Sequence, residues 1–143
     1  MPKDTLMFKG MEPGLVSQRF GVNPLPYQPN GHTGLDISSK YATFLCAPAD
    51  CIVEKIVRAE NFSEDLAPLS YGYGINMKSI ALPTVHYLFW HCLPNFPVKE
   101  GDSVRRGQIV AHMGNSGFVV YFGQRVPVEI QAKPPYPGTH VHY

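Results

Sequence analysis

The sequence predicts a mostly β fold, arranged as a single compact antiparallel β-sheet or sandwich domain with long loops. Its 143 residues are enough for one domain with its own hydrophobic core. The chain contains 14 prolines and 13 glycines, residue types that end strands and form turns. Short runs rich in Val, Ile, Tyr and Phe lie between these turn residues, and long runs of helix formers are few. This pattern favours a turn-rich β domain over a helical one.

The start of the chain predicts little regular structure. Residues 1–16 show no clear periodicity, so we expect an irregular lead-in there and one folded domain over residues 17–143. Within residues 17–27, a short strand-like run precedes Asn-Pro-Leu-Pro-Tyr, which predicts a strand followed by a proline-rich loop. A turn over residues 28–31 then leads into the next segment.

Two pairs of strands are predicted in the middle of the chain. Residues 42–49 and 51–57 flank a Pro-Ala-Asp turn, and residues 75–81 and 85–93 flank a Leu-Pro-Thr turn. Each run is short, apolar and bounded by turn residues, which predicts a strand, and residues 75–81 and 85–93 are expected to pair with each other. Residues 58–70 lie between the pairs and are polar, so we expect a surface excursion.

The last third of the chain predicts short strands and tight corners. Residues 98–110 form a charged turn between strands, with glycines at its corners. Residues 118–130 predict an apolar hairpin that turns at Gly123 and Gln124. A proline-rich linker over residues 132–138 leads from this hairpin to the end of the chain.

Charge and hydropathy exclude some classes of partner. The formal net charge of +1 gives no strong attraction to nucleic acid or to an anionic membrane. No apolar run approaches the ~20 residues that a membrane span requires, and residues 1–4 do not begin a secretory signal. We therefore expect no nucleic-acid or membrane partner and synthesis in the cytoplasm without signal-directed export. The sequence leaves the oligomeric state open.

A histidine pair near the end of the chain indicates a metal site. His140 and His142 are two residues apart, so in a strand both side chains project from the same face. His32 and Asp36 add an imidazole and a carboxylate four residues apart, with Gly34 between them for a sharp turn. Nitrogen and carboxylate ligands of this kind suit zinc.

The number of candidate ligands favours a catalytic site over a structural one. A catalytic zinc usually has three protein ligands and an open fourth position. His32, Asp36 and one histidine of the terminal pair would supply those three ligands, and the other histidine would be free to transfer protons. The residues alone do not decide which histidine of the pair binds the metal. The predicted loops would then surround a metal groove.

The order of the motifs resembles the lysostaphin/LytM-type zinc metallopeptidases, which are peptidoglycan endopeptidases. The resemblance covers residues 17–143. The matching segments are Gly-His-Thr-Gly-Leu-Asp-Ile at 31–37, Ala-Pro-Ala-Asp at 47–50, Tyr-Gly-Tyr-Gly at 71–74, Phe-Trp-His-Cys-Leu at 89–93, residues 98–108, Gly-Asn-Ser-Gly at 114–117 and Gly-Thr-His-Val-His-Tyr at 138–143.

This resemblance implies specific roles for five residues. His32, Asp36 and His142 would bind zinc, while His91 and His140 would be catalytic residues that do not bind the metal. The implied reaction is hydrolysis of peptide cross-links in bacterial peptidoglycan, with zinc as the cofactor and a peptidoglycan peptide as the substrate. A chain without a signal peptide would reach the wall by another route, such as phage release or as part of a virion.

Three alternatives remain at this point. A catalytically silent relative could act as a wall-binding module, and a phage-tail module could use zinc only to stabilise its fold. Residues 98–108 also resemble the strand-turn of biotinyl and lipoyl carriers. A carrier requires a lysine in a tight hairpin, typically flanked by methionine, and the corresponding stretch has no lysine in this setting.

Overall fold

The computed structural model describes residues 8–9, 15–24, 26, 28–58 and 72–143. Strands account for nearly all of its regular structure, and one short 3-10 helix spans Val128–Ile130. The strands, numbered along the chain, are β1 (Phe8–Lys9), β2 (Leu15–Gln18), β3 (Asp36–Ser38), β4 (Phe44–Cys46), β5 (Cys51–Val57), β6 (Tyr73–Ser79), β7 (His86–Cys92), β8 (Ser103–Val104), β9 (Ile109–His112), β10 (Val120–Tyr121), β11 (Gln124–Arg125) and β12 (Val141–His142).

A seven-stranded antiparallel sheet forms the body of the molecule. Its strand order is β2-β3-β12-β7-β6-β5-β8. A second sheet has the order β1-β4-β9, and β10 pairs with β11 as a separate hairpin. The predicted antiparallel, mostly β fold is therefore confirmed, and the described residues contain no α-helix.

The central strands β5, β6 and β7 form an antiparallel set because each strand is long and has an apolar face. β5 pairs with β6 over nearly its whole length, and β6 pairs with β7 across the turn at 80–85. Val53, Ile75 and Phe89 from these three strands are almost completely buried. Burial of such side chains stabilises the fold by roughly 1.5–3 kcal/mol each.

The core lies between the large sheet and the β4–β9 strands. Leu45, Val110 and Met113 face it from one side, and Val141 faces it from β12. All three cysteines are buried, and none of them forms a disulfide. Since Val141 is buried in this core, β12 is held between β3 and β7.

Several predicted elements differ in detail from those in the structure. The hairpin turns at Phe122 and Gly123, one residue earlier than predicted, and its second strand is only two residues long. Residues 128–130 form a 3-10 helix where a strand was expected. The predicted excursion at 58–70 lies, apart from Arg58, outside the described residues. So does most of the predicted lead-in at 1–16, of which β1 and the start of β2 are described. No helix in the described part of the chain has the length and apolar character to cross a membrane.

Candidate metal centre and groove

Two neighbouring strands position the candidate metal ligands. β12 pairs antiparallel with β3, and this register places His142 opposite Asp36 and Val141 opposite Ile37. His32 lies in the loop before β3, four residues from Asp36. The strand pairing thus joins ligands that are more than a hundred residues apart in the sequence.

Three ligand atoms form a nearly equilateral triangle. His32 Nε2 lies 3.0 Å from His142 Nδ1 and 3.1 Å from Asp36 Oδ1. His142 Nδ1 is 3.0 Å from Asp36 Oδ1. Ligand atoms bound tetrahedrally to zinc at ~2.0–2.1 Å would be about 3.3 Å apart, so the donor set has the size and chemistry that zinc requires. These three residues are the group that could hold a metal ion in the described part of the chain.

Neighbouring groups hold the two imidazoles in orientation. His32 Nδ1 donates a hydrogen bond to the carbonyl of Arg19 at 3.3 Å, which leaves Nε2 for the metal. Nε2 of His142 lies 3.5 Å from the Thr33 hydroxyl, so Nδ1 is the nitrogen that faces the cluster. Outer contacts of this kind fix the tautomer and ring position of a metal-binding histidine.

Gly34 contributes space to the site. A Cβ atom at this position would lie 2.6 Å from His142 Nε2 and 2.6 Å from the Tyr143 carbonyl oxygen. The chain bends at Thr33 and Gly34, in agreement with the expected turn, and the backbone of Gly34 is not in the left-handed region. Glycine is required here because the end of the chain passes so close.

The charge of Asp36 is stabilised by its neighbours. Burial alone would raise the pKa of Asp36, but the hydrogen bond with His142 and the nearby His140 and His32 outweigh it and lower the pKa. The carboxylate is therefore ionised at neutral pH and available as an anionic ligand.

His140 lies beside the ligand cluster without joining the triangle. Its Nδ1 donates a hydrogen bond to the Gly138 carbonyl at 2.7 Å. Its Nε2 is 3.7 Å from Asp36 Oδ2. Burial lowers the pKa of His140, despite the opposing effect of Asp36, so the ring is neutral at pH 7. A neutral ring with Nδ1 protonated carries a lone pair on Nε2, which can accept a proton.

His91 lies next to His140 at the inner side of the site. The two ring centroids are 4.6 Å apart, and His91 Nδ1 donates to the Ser116 carbonyl at 2.7 Å. Burial, with a further contribution from His140, lowers the pKa of His91 to about 3. The residue also has a positive φ of 61°, a conformation that histidine adopts more readily than most residues. Its Nε2, like that of His140, is an acceptor at neutral pH.

A cavity of about 510 Å³ opens from the centre, lined by Asp36 and His140 at one end. Ser17 and Ser38 contribute hydroxyls to its lining, and Phe122 contributes an aromatic ring. Tyr136 also lines the cavity and stacks on Tyr41 at a centroid distance of 3.9 Å. A volume of this size suits a small extended ligand.

The aromatic residues near the site differ in their positions. Tyr136 lines the cavity, whereas Phe89 is buried in the core and Tyr73 packs against the core. The two remaining histidines, His86 and His112, do not belong to the candidate metal group. His86 forms a surface ion pair with Glu54, and His112 contacts the Asn95 carbonyl.

A comparison with protein families decides the classification. The family model described as Peptidase family M23 matches residues 30–142, which is most of the chain. The chain belongs to peptidase family M23. This confirms the family that the motif order indicated, and the matched region contains all five residues that the resemblance singled out.

Solved structures of M23 peptidases share the fold. The catalytic domain of the antimicrobial peptidase lysostaphin from Staphylococcus simulans is 19% identical, with a TM-score of 0.63 over 90% of this chain and 77% of that one. The prophage-encoded M23 protein EnpA from Enterococcus faecalis, as a catalytic-domain mutant, is 22% identical with a TM-score of 0.62. Its match covers 94% of this chain and 82% of that one. A zinc-containing peptidase from Vibrio cholerae is 16% identical, with a TM-score of 0.58 over 98% of this chain and 33% of that one. No curated protein sequence matches the chain.

Two residues beside the candidate site were not singled out from the sequence. Asn115 is buried, donates from Nδ2 to the Pro137 carbonyl at 3.0 Å and accepts the Ala132 N–H at 3.0 Å. The Ser116 carbonyl holds His91, and its hydroxyl donates to the Cys92 carbonyl at 2.6 Å. Both residues lie in the Gly-Asn-Ser-Gly motif at 114–117, which was noted only as part of the resemblance. The signal was present, but the roles depend on contacts between distant segments.

Proposed function

We propose that this member of peptidase family M23 is a zinc-dependent endopeptidase that hydrolyses peptide cross-links of bacterial peptidoglycan. The observation that carries the proposal is the arrangement of two neutral histidines beside a zinc-sized triangle of two imidazoles and one carboxylate. When bound there, zinc supplies Lewis acidity, which polarises a peptide carbonyl and makes water a stronger nucleophile at neutral pH.

In this proposal, His32, Asp36 and His142 hold the metal. Their ligand atoms converge without rearrangement, because each lies 3.0–3.1 Å from the other two. Asp36 contributes one negative charge, which favours a divalent cation over a neutral ligand. The open side of the cluster faces the cavity that Asp36 and His140 line.

His140 and His91 transfer and hold protons. His140 Nε2 faces the cluster and accepts a proton from the attacking water, then delivers it to the departing amine of the cleaved bond. Its Nδ1 remains hydrogen-bonded to the Gly138 carbonyl, which fixes the ring. His91 is deeper and its pKa is lowered further, so we assign it to hold water and substrate through Nε2 and not to carry a positive charge.

The shape and position of the cavity support a peptide substrate. A slim peptide chain could lie across the cavity with one carbonyl next to the metal ligands. Membership of the peptidase family supports peptide-bond hydrolysis as the reaction. Likeness to the catalytic domain of an antimicrobial peptidase makes the bacterial cell wall the substrate to test first.

The test compares the wild-type protein with His140→Ala and His142→Ala. Each protein is loaded with zinc, its metal content is measured, and it is added to purified cell walls. Lysis is followed by loss of turbidity and by new amino groups. We expect His142→Ala to lose the metal and the activity, and His140→Ala to retain the metal but lose activity by about 10²–10⁴-fold.

Two results would contradict the proposal. If wild-type protein binds zinc but releases no amino groups from walls of any composition, the wall-binding or structural-module alternative replaces it. If His140→Ala retains full activity, the division of roles between the two terminal histidines is wrong. His86→Ala, at a surface ion pair with Glu54, is the control for the loss of a histidine elsewhere.

A further inference from the structure

The hairpin β10–β11 forms one wall of the cavity and ends in an exposed aromatic pair. Phe122 is 89% exposed and Tyr121 is 48% exposed, yet both line the cavity that reaches His140. Their rings contact each other edge to face, with centroids 4.4 Å apart. Adjacent exposed apolar residues form a patch of the kind that marks binding grooves, whereas single exposed apolar residues carry no such meaning.

The turn at the tip is poorly matched to its residues. Phe122 and Gly123 have φ values of 49° and 76°, and positive φ at both positions is the pattern of a type I′ turn. Asparagine or glycine is favoured at the first of these positions, whereas a bulky residue is disfavoured. Phe122 therefore places an aromatic ring at a position that the turn backbone and the exposure to solvent both disfavour. This combination indicates a functional reason for the ring.

The base of the hairpin is fixed relative to the catalytic residues. Val119 and Val126 are almost completely buried and are joined by a 2.8 Å backbone hydrogen bond. Gly138, two residues before His140, packs so closely that an added Cβ would lie 2.5 Å from Val119. The aromatic tip is thus held on the same framework as the terminal histidines.

The cavity lining contains little charge. Among the described residues that line it, Asp36 and His140 are ionisable groups of the centre itself, and none is a lysine or arginine. The other polar groups are neutral, such as the Ser17 hydroxyl and the Gln18 amide. A carboxylate on the ligand would find no cationic partner in this lining, whereas an apolar side chain would cover the exposed rings.

We propose that Tyr121 and Phe122 form an apolar subsite for an uncharged apolar side chain that the substrate peptide carries close to the cleaved bond. The inference rests on the proposed function and narrows its substrate class: cross-links with alanine or larger apolar residues are preferred over all-glycine cross-links. The position of the subsite follows from the continuity of the cavity between Phe122 and His140.

The experiment uses two soluble peptides of equal length, pentaglycine and a version with one leucine next to the central bond. Cleavage is measured with zinc-loaded wild-type protein. Binding is measured by calorimetry with the zinc-loaded His140→Ala variant, which is expected to retain the metal and lose turnover, so that affinity is measured without cleavage. We expect the leucine peptide to bind and react at least about tenfold better. A tenfold difference is the lower end of the effect that a single apolar group has in a hydrophobic pocket.

The variant Phe122→Asn removes the ring while it suits the backbone of the turn. We expect it to fold with an unchanged or higher melting temperature and to lose most of the preference for the leucine peptide. Binding by this variant is measured in the His140→Ala background. Leu82→Ala is the matched control, since Leu82 is 56% exposed in the turn between β6 and β7 and does not line the cavity.

Each outcome decides between the two proposals. Cleavage of both peptides with no preference, or a preference that Phe122→Asn leaves unchanged, overturns the subsite and leaves the proposed function standing. Preferential binding without cleavage supports the subsite and contradicts the peptidase assignment. If neither peptide binds, the subsite for a peptide side chain is overturned. It is also overturned if Phe122→Asn lowers the lysis of cell walls but leaves binding and cleavage of both peptides unchanged.

Discussion

His142 lies directly opposite Asp36 in the antiparallel pair of β12 and β3, and its Nδ1 is 3.0 Å from Asp36 Oδ1. Two of the three candidate metal ligands are therefore placed by backbone pairing in the body of the large sheet. Ligands on paired strands are positioned more firmly than ligands on free loops. His32 completes the set from the adjoining loop, where its Nδ1 contacts the Arg19 carbonyl.

Zinc should stabilise the folded protein through this ligand set. At a zinc concentration 100 times the Kd, the expected gain is about 2.7 kcal/mol, visible as a rise in melting temperature. Asp36→Ala and His142→Ala should abolish this rise, because each removes one of three ligands. Melting curves recorded with EDTA and with graded zinc provide the measurement. His112→Ala is the control, and a full zinc response in Asp36→Ala would exclude Asp36 from the site.

Gly34→Ala should disturb the same site by steric overlap alone. The added methyl group would lie 2.6 Å from both His142 Nε2 and the Tyr143 carbonyl oxygen. We expect destabilisation by about 1–3 kcal/mol and weaker zinc binding, measured by unfolding in urea and by competition with a chelator. Gly101→Ala is the comparison, since Gly101 has a positive φ of 88° but open space around it. Gly101→Ala should reduce the stability without any loss of zinc affinity. Equal zinc affinity in Gly34→Ala and Gly101→Ala would disprove the steric argument.

The sequence was sufficient to predict the local parts of this fold. The strands β5, β6 and β7 could be predicted because each is apolar, bounded by turn residues and paired with its neighbour in sequence. Their limits in the structure differ from the predicted ones by two residues at most. Short strands such as β12 have no comparable signal, since a two-residue strand forms only when its partners are already in place.

The candidate site was predictable in composition but not in geometry. Residue types alone identified His32, Asp36 and the terminal histidine pair. The orientation of His142 toward Asp36 follows from the register between β12 and β3, which joins segments more than a hundred residues apart. The contact of His91 Nδ1 with the Ser116 carbonyl joins distant segments, and the contact of His140 Nδ1 with the Gly138 carbonyl depends on the backbone conformation of the terminal segment. No local pattern encodes them.

The buried His91 should make the zinc-free protein sensitive to acid. Its pKa is lowered to about 3 in the folded state, mainly by burial, whereas an unfolded histidine titrates near 6.5. Between these values the unfolded state binds the extra proton, so stability is complete above about pH 6.5 and falls as the pH decreases toward 3. The contribution of this one group approaches 1.4 kcal/mol per pH unit.

Replacing His91 by glutamine should therefore reduce the slope of stability against pH. The measurement is urea unfolding of the EDTA-treated protein at several pH values between 4 and 8. His86→Gln, at the surface, serves as the control and should follow the wild type. A slope in His91→Gln as steep as that of the wild type would show that other groups cause the acid sensitivity.

Asn115 connects the loop that holds His91 to the segment that holds His140. It donates to the Pro137 carbonyl at 3.0 Å, and the next carbonyl along the chain, that of Gly138, accepts the bond from His140 Nδ1. Its own neighbour Ser116 accepts the bond from His91. We predict that Asn115 is a positioning residue, which affects the reaction through the orientation of His140 and without touching the substrate.

A double-mutant cycle separates positioning from general stability. Asn115→Ala should lower kcat about tenfold with little change in KM, because the Pro137–Gly138 backbone loses its support and His140 turns more freely. In a His140→Ala background the same substitution should have no further effect on kcat, since its target is already absent. Ser79→Ala is the control: Ser79 is buried and its hydroxyl accepts the Leu82 N–H at 3.1 Å, so its loss should reduce stability and leave kcat unchanged. Equal losses of kcat from Asn115→Ala in both backgrounds would mean that Asn115 acts independently of His140, contrary to the prediction.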